Sequence, residues 1–176
     1  MLHLKLPTDP RWVKLAEKSI EDILVDHAYC EQKAATSCIS LIVVYPDLKP
    51  IVEKLTPIVL EEWNHFSMVL NEIYARGFTL GYPRKDEYVN ELMKFQDKTG
   101  DRHCILVEKL LTNALIEARS CERFRLLSLE LKDSYLRKFY HNFMISEAGH
   151  YRLFMDLAKL YQSDSYVKKR GEDFLQ

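Results

Sequence analysis

Four glutamates stand where helices of this chain should carry apolar residues, and that conflict constrains the fold more than any other feature of the sequence. Positions spaced three and four apart run Leu24, Ala28, Glu31, Ala35, Cys38, Ile42 in one segment, and Val107, Leu110, Ala114, Glu117, Cys121, Phe124 in another. Glu62 falls among Leu55, Val59, Phe66, Val69 and Ile73. Glu147 falls among Tyr140, Phe143, Phe154, Leu157 and Tyr161. A carboxylate inside an apolar stripe is costly unless it is protonated, paired with a cation or bound to a metal.

The spacing of the four acids favours the metal. Glu62-Trp63-Asn64-His65 and Glu147-Ala148-Gly149-His150 are both Glu-x-x-His, so in a helix each offers a carboxylate and an imidazole on one face. Such tetrapeptides are common by chance, but here the register repeats. Glu31 lies 31 residues before Glu62, and Glu117 lies 30 before Glu147. Each half of the chain therefore reads as a helical pair bearing one acid and then one Glu-x-x-His, a weak internal repeat. Glu31, Glu62, His65, Glu117, Glu147 and His150 together supply four carboxylates and two imidazoles. This oxygen-rich, thiolate-free set suits iron or manganese better than structural zinc. Surface acids and satisfied histidines on a metal-free bundle would account for any one of the six, but not for all six in register.

The rest of the chain supports an all-α bundle. Thr8-Asp9-Pro10 starts a helix expected to run from Arg11 to about Tyr45. A second opens between Asp47 and Pro50, and Pro57 should either kink it or delay its start. Gly77 to Pro83 breaks the pattern, a short helix follows from Asp86 to about Lys98, and Thr99-Gly100-Asp101 ends it. The third long helix spans about Asp101 to Leu131, and a turn near Lys132-Asp133-Ser134 leads into the fourth. Ser163-Asp164-Ser165 closes that helix, and Lys168-Lys169-Arg170 begins a polar tail or a short terminal helix. The long segment between the second and third main helices matches the crossover of a ferritin-like four-helix bundle, which carries the chain from one end of the bundle to the other. One domain over 1–176 is expected.

Composition narrows the function classes. With 47% hydrophobic and 29% charged residues the chain has the make-up of a soluble globular protein, and its net charge of −1 offers no global attraction to nucleic acid. The longest apolar run, Cys38 to Tyr45, is too short for a membrane span, and the N-terminus lacks a secretory signal, so a cytoplasmic protein is expected. Cys30, Cys38, Cys104 and Cys121 form no Cys-x-x-Cys pair and read as free thiols rather than ligands. No Gly-x-Gly-x-x-Gly marks a flavin or nicotinamide site. Glu61 and Glu122 lie about 100° and about 140° round their helices from Glu62 and Glu117, off the chosen stripes, and should form salt bridges or line the approach. His27, one turn before Glu31, either touches the site or lies on the helix surface. His3, His103 and His141 show no partner pattern.

The stretches Glu61-Glu62-Trp63-Asn64-His65-Phe66, Leu115 to Phe124 (Leu-Ile-Glu-Ala-Arg-Ser-Cys-Glu-Arg-Phe) and Ser146-Glu147-Ala148-Gly149-His150-Tyr151 resemble the tRNA 2-methylthio-N6-isopentenyladenosine hydroxylase family. The likeness spans nearly the whole chain, and all six ligand positions carry over. It implies a non-haem di-iron monooxygenase with two iron ions and O2 as co-substrate. The substrate it implies is tRNA, hydroxylated on the isopentenyl group of the hypermodified adenosine beside the anticodon. The chemistry requires an external electron donor of ferredoxin or reductase type. Candidate phosphate contacts are Arg84-Lys85, Arg119 with Arg123, Arg137-Lys138 and Lys168-Lys169-Arg170, while Phe78, Tyr82 or Tyr88 could stack on a loop base. The competing reading is a ferritin- or rubrerythrin-like di-iron oxidase or peroxidase that does not act on RNA.

Overall fold

The computed structural model describes residues 4, 5 and 7–174; those residues form seven α-helices and no strand. The chain divides into two compact units. One is Leu15–Lys85, and the other runs from Asp86 onward together with the described residues before Leu15.

In the first unit, α2 (Ile20–Val44) packs along α3 (Lys49–Ala75), after the short helix α1 (Arg11–Lys18). The connection between α2 and α3 is so short that the two helices must run antiparallel. Helices of 25 and 27 residues are each about 40 Å long, enough to hold ligands in the middle of the pair with several turns of apolar packing on either side. Leu24, Ala28, Ala35, Ile51, Leu55, Val69 and Ile73 form that packing, all at most 2% exposed.

In the second unit, α5 (Arg102–Glu130) packs along α6 (Ser134–Lys159), with α4 (Glu87–Phe95) and α7 (Asp164–Asp173) against α5. Each start carries its own cap. The side chains of Asp86, Asp101 and Asp133 accept hydrogen bonds from Val89 N, Cys104 N and both Tyr135 N and Leu136 N, and Ser163 Oγ accepts from Tyr166 N. A cap of this kind satisfies backbone donors that the first helical turn leaves over. The terminal segment Lys168-Lys169-Arg170 is therefore helical, and Ser163 begins a helix as well as ending the loop.

Three expectations need correction, and the alternatives at Pro57 are narrowed. The helix expected over Arg11–Tyr45 is two helices, broken at Ser19, whose backbone leaves the helical region (φ −146°, ψ 68°). Ser19 competes poorly for a helix interior, while Glu21 and Asp22 just beyond it favour a fresh N-terminus through the helix dipole. Pro57 does not delay α3, which starts at Lys49 and continues through it. Position 57 is exposed, so the carbonyl that loses its donor lies on the solvent side. The inner face is also rotated slightly: Leu41 and Ile58 are buried where Ile42 and Val59 were expected. Tyr161 lies beyond α6 and is only half-buried. No described helix is long and apolar enough to cross a membrane.

Candidate metal centre

All six residues singled out by spacing are buried, between 1% and 8% exposed. Within the first unit, Glu31 of α2 meets Glu62 and His65 of α3, each offering a ligand atom within 4.8 Å of the others. The imidazole Nδ1 of His65 lies 3.3 Å from Glu31 Oε2 and 3.6 Å from Glu62 Oε2, so Nδ1 is the nitrogen turned to the carboxylates. Its Nε2 faces the half-exposed Glu61 at 3.9 Å. Within the second unit, Glu117 of α5 meets Glu147 and His150 of α6, again with one ligand atom from each inside 4.8 Å. The helical i, i+3 spacing brings each Glu and His to one face, and the packing of the neighbouring helix supplies the further acid. Each half-site has the donors to hold a metal ion.

The electrostatics of the first half-site follow from burial. Desolvation, reinforced by the neighbouring Glu62, raises Glu31 to about 8, against the lowering effect of the His65 imidazole beside it. Burial alone would also strip the proton from His65, but the carboxylates of Glu31 and Glu62 beside it outweigh that and hold the imidazole up to about 10. A metal ion entering here therefore displaces protons.

His27 is the residue that sequence reasoning left undecided. It is buried at 3%, not on the surface, and its Nε2 lies 2.6 Å from Glu31 Oε1. Desolvation, with a contribution from the His65 charge, lowers it to about 3, so the ring is neutral and shares one hydrogen bond with Glu31 through Nε2. This bond ties down Oε1 and leaves Oε2 on the His65 side. The i, i+4 spacing of His27 and Glu31 was the available signal.

Other candidates are committed elsewhere. Glu122 receives Thr8 N and Oγ1 at 3.1 and 2.7 Å and pairs with Arg119 at 2.6 Å, which confirms the salt-bridge reading for it. Arg119 lies over the Tyr88 ring and Arg123 over Trp12, at 5.4 and 5.5 Å to the centroids. Tyr88 is itself half-buried, with its hydroxyl toward Leu115 O, which takes it out of the stacking candidates. Arg137 donates to Leu131 O at 2.9 Å. Arg170 is held by Glu108, a buried acid the sequence reading missed, through contacts of 2.6 and 2.9 Å. With Arg84, which pairs with Asp22, five of the proposed phosphate contacts thus have structural partners. The four cysteines form no disulfide, with Cys38 and Cys121 buried and Cys30 and Cys104 partly so.

Comparison with known proteins places these half-sites in context. The profile of the tRNA-(MS2IO6A)-hydroxylase (MiaE) family matches residues 1–176. A tRNA 2-(methylsulfanyl)-N(6)-isopentenyladenosine(37) hydroxylase from Pseudomonas putida is 34% identical over 166 residues, covering 94% of this chain and 80% of its own length. The protein of the same name from Salmonella typhimurium is 26% identical over 205 aligned positions, covering 89% and 75%. Among solved structures, "Protein 43 with aldehyde deformylating oxygenase activity" from Synechococcus matches with a TM-score of 0.93 and 33% identity, over 98% of this chain and 85% of that one. The fold is accordingly ferritin-like.

Proposed function

The chain belongs to the tRNA-(MS2IO6A)-hydroxylase (MiaE) family, and on that premise we propose that it hydroxylates the isopentenyl group of a hypermodified adenosine beside the anticodon, using a pair of iron ions. Its reaction class, tRNA hydroxylation, comes with the family and with the relatives of that name. We further propose that Glu31, Glu62, His65, Glu117, Glu147 and His150 hold the two irons and that the two units act as one ferritin-like domain.

The observation that carries the metal reading is four buried glutamates with two buried histidines, all at the expected register. Four carboxylates carry four negative charges, which two divalent cations balance, and burial tolerates charge only when it is balanced. Hard oxygen donors with imidazole, and no thiolate among them, fit iron. When bound, a ferrous pair supplies two electrons together to O2, which allows oxygen insertion into an unactivated C–H bond.

The chain's own residues do the rest. His27 fixes the rotamer of Glu31 through Oε1, as a group behind a metal ligand commonly does. Phe66 follows His65, while Phe143 and Phe154 lie about one turn before Glu147 and one turn after His150; all are at most 8% exposed and keep bulk water from the ligands. An external donor of ferredoxin or reductase type returns the electrons, and a cytoplasmic setting places the enzyme with its tRNA.

The test is nucleoside mass spectrometry of isopentenyl-modified tRNA after incubation with iron-loaded protein, reductant and O2. One added oxygen on that nucleoside, lost with His150→Ala, is the expected result. Unchanged nucleoside despite two bound irons refutes the assignment. The Synechococcus structure favours one second reading, an oxygenase acting on aldehydes. Deformylation of an aldehyde by the same preparation, without tRNA oxidation, is the outcome that would support it.

A further inference from the structure

Tyr82 is the most exposed large hydrophobic residue among those described, at 94%, yet the loop that carries it is fastened on both sides. On one side, Tyr29 Oη donates to the carbonyl of Gly81 at 2.8 Å. On the other, Arg84 is paired with Asp22. Gly77 and Gly81 adopt positive φ of 75° and 64°, which lets the chain leave α3 and turn along α2 without strain. Phe78 N closes that exit by donating to Ile73 O at 3.0 Å. Pro83 then fixes its own φ directly after the ring. An aromatic ring on a pinned loop loses little conformational freedom when it is covered, which suits it to binding.

The position of the loop matters as much as its rigidity. Tyr29, which holds Gly81, is two residues before Glu31 on α2, a rise of about 3 Å along the helix axis. Tyr82 is therefore held at about the height of the first half-site along α2, on the outer side of that helix, since Tyr29 is about 200° round it from Glu31. Beside it, Lys85 is exposed and makes no ion pair among the described residues, and Arg84 keeps 61% of its side chain in solvent despite Asp22.

We propose that this loop is an RNA contact: Tyr82 stacks on an anticodon-loop base next to the target nucleotide, and Lys85 takes a neighbouring phosphate. The inference rests on the tRNA reading above. A nucleotide whose side group must reach buried ligands has to leave the loop stack, and its extrusion uncovers the face of an adjacent base. An exposed tyrosine ring replaces that lost stacking whatever the base, and single-stranded loops are recognised in this way. With Asp22 offsetting Arg84, stacking rather than charge dominates the contact.

The test uses the full-length, metal-loaded protein and an anticodon stem-loop RNA carrying the isopentenyl nucleoside. Fluorescence anisotropy gives affinity and nucleoside mass spectrometry gives turnover. Tyr82→Ala is expected to weaken binding about tenfold or more, Tyr82→Phe to retain it, and Lys85→Ala to lower the salt slope by about one. Tyr74→Ala, which removes another exposed aromatic from α3, serves as the control and should change neither readout. If the parent protein oxidises the RNA but Tyr82→Ala binds and turns over equally well, the loop assignment is wrong while the enzyme reading stands. If the parent binds through Tyr82 without oxidising the RNA, the loop assignment stands and the enzyme reading fails. Unchanged RNA affinity with a slower rate from a protein donor makes the loop a protein contact and overturns the proposal.

Discussion

Replacing Arg170 with alanine removes the partner of a carboxylate that has almost no access to water. Glu108 is 2% exposed and is gripped by Arg170 through Nε–Oε1 at 2.6 Å and the second terminal nitrogen to Oε2 at 2.9 Å. The same guanidinium donates to Phe95 O at 2.7 Å and lies 4.6 Å over the Phe174 ring, so it joins the end of α4, the second turn of α5 and the end of α7. After the substitution, Asp97 N–H at 2.9 Å is still there to support the carboxylate, but the counter-charge is gone. Removing one partner of a buried ion pair costs about 3–5 kcal/mol. The Arg170 side chain is 21% exposed, so water can reach the gap and the expected loss falls below that range, to about 2–3 kcal/mol. For a chain of this size that lowers the melting temperature by roughly 4–12 °C. Differential scanning calorimetry of the metal-free protein measures it. Glu108→Gln should cost less, because the neutral amide keeps the shape and leaves only a partly solvated cation. Iron stoichiometry should not change, since Glu108 lies about 13 Å along α5 from Glu117. A drop of less than 1 °C, or an equal drop for both variants, would show that the buried charge is not what makes this contact costly to break.

His27→Ala should lower iron affinity about 10- to 100-fold while leaving helicity intact, because Glu31 loses the bond that orients it; anaerobic ferrous titration reads this, and unchanged affinity refutes the role. Metal affinity should rise with pH. Glu31 at about 8 and His65 at about 10 both sit above their ordinary values, so below those pH values the metal-free half-site holds protons that the metal must expel. The rise should be up to about tenfold per pH unit for each proton displaced between pH 6 and 8, and calorimetry in buffers of different ionisation enthalpy should detect the released protons; pH-independent binding would contradict the scheme. Phe143→Ala should destabilise the second unit by about 3–5 kcal/mol, since the ring is 2% exposed and packs at 4.8 Å on Phe139 and 5.9 Å on Phe124. Chemical denaturation measures that, and a loss under 1 kcal/mol would mean the site collapses around the gap.

Much of the candidate site was legible because its signals are local. Glu62 with His65, and Glu147 with His150, share a helix face by spacing alone, and the apolar residues around each require that face to be inside. The equal offsets of Glu31 and Glu117 extended the argument to the neighbouring helices. Helix starts were equally readable at Asp86, Asp101 and Asp133, since a capping carboxylate acts on backbone only two or three residues away. Less was decided at the level of single core positions. Leu41 is buried in place of Ile42 and Ile58 in place of Val59, each one residue and about 100° round its helix, because the neighbouring helix chooses the contact line.

What only the tertiary structure decided are partners far apart in the chain. Arg170 looked like a surface cation in a basic run, and Glu108 like any charge on a long helix, until packing closed 62 residues between them. His27 could have faced solvent or Glu31, and the burial of α2 against α3 selected Glu31. Tyr82 and Tyr88 were indistinguishable as stacking candidates, yet one stands in water and the other is half-buried under Arg119. Periodicity specifies which face of a helix is apolar; it carries no information about which distant side chain will meet that face, because that choice depends on the summed packing of whole helices rather than on any local preference.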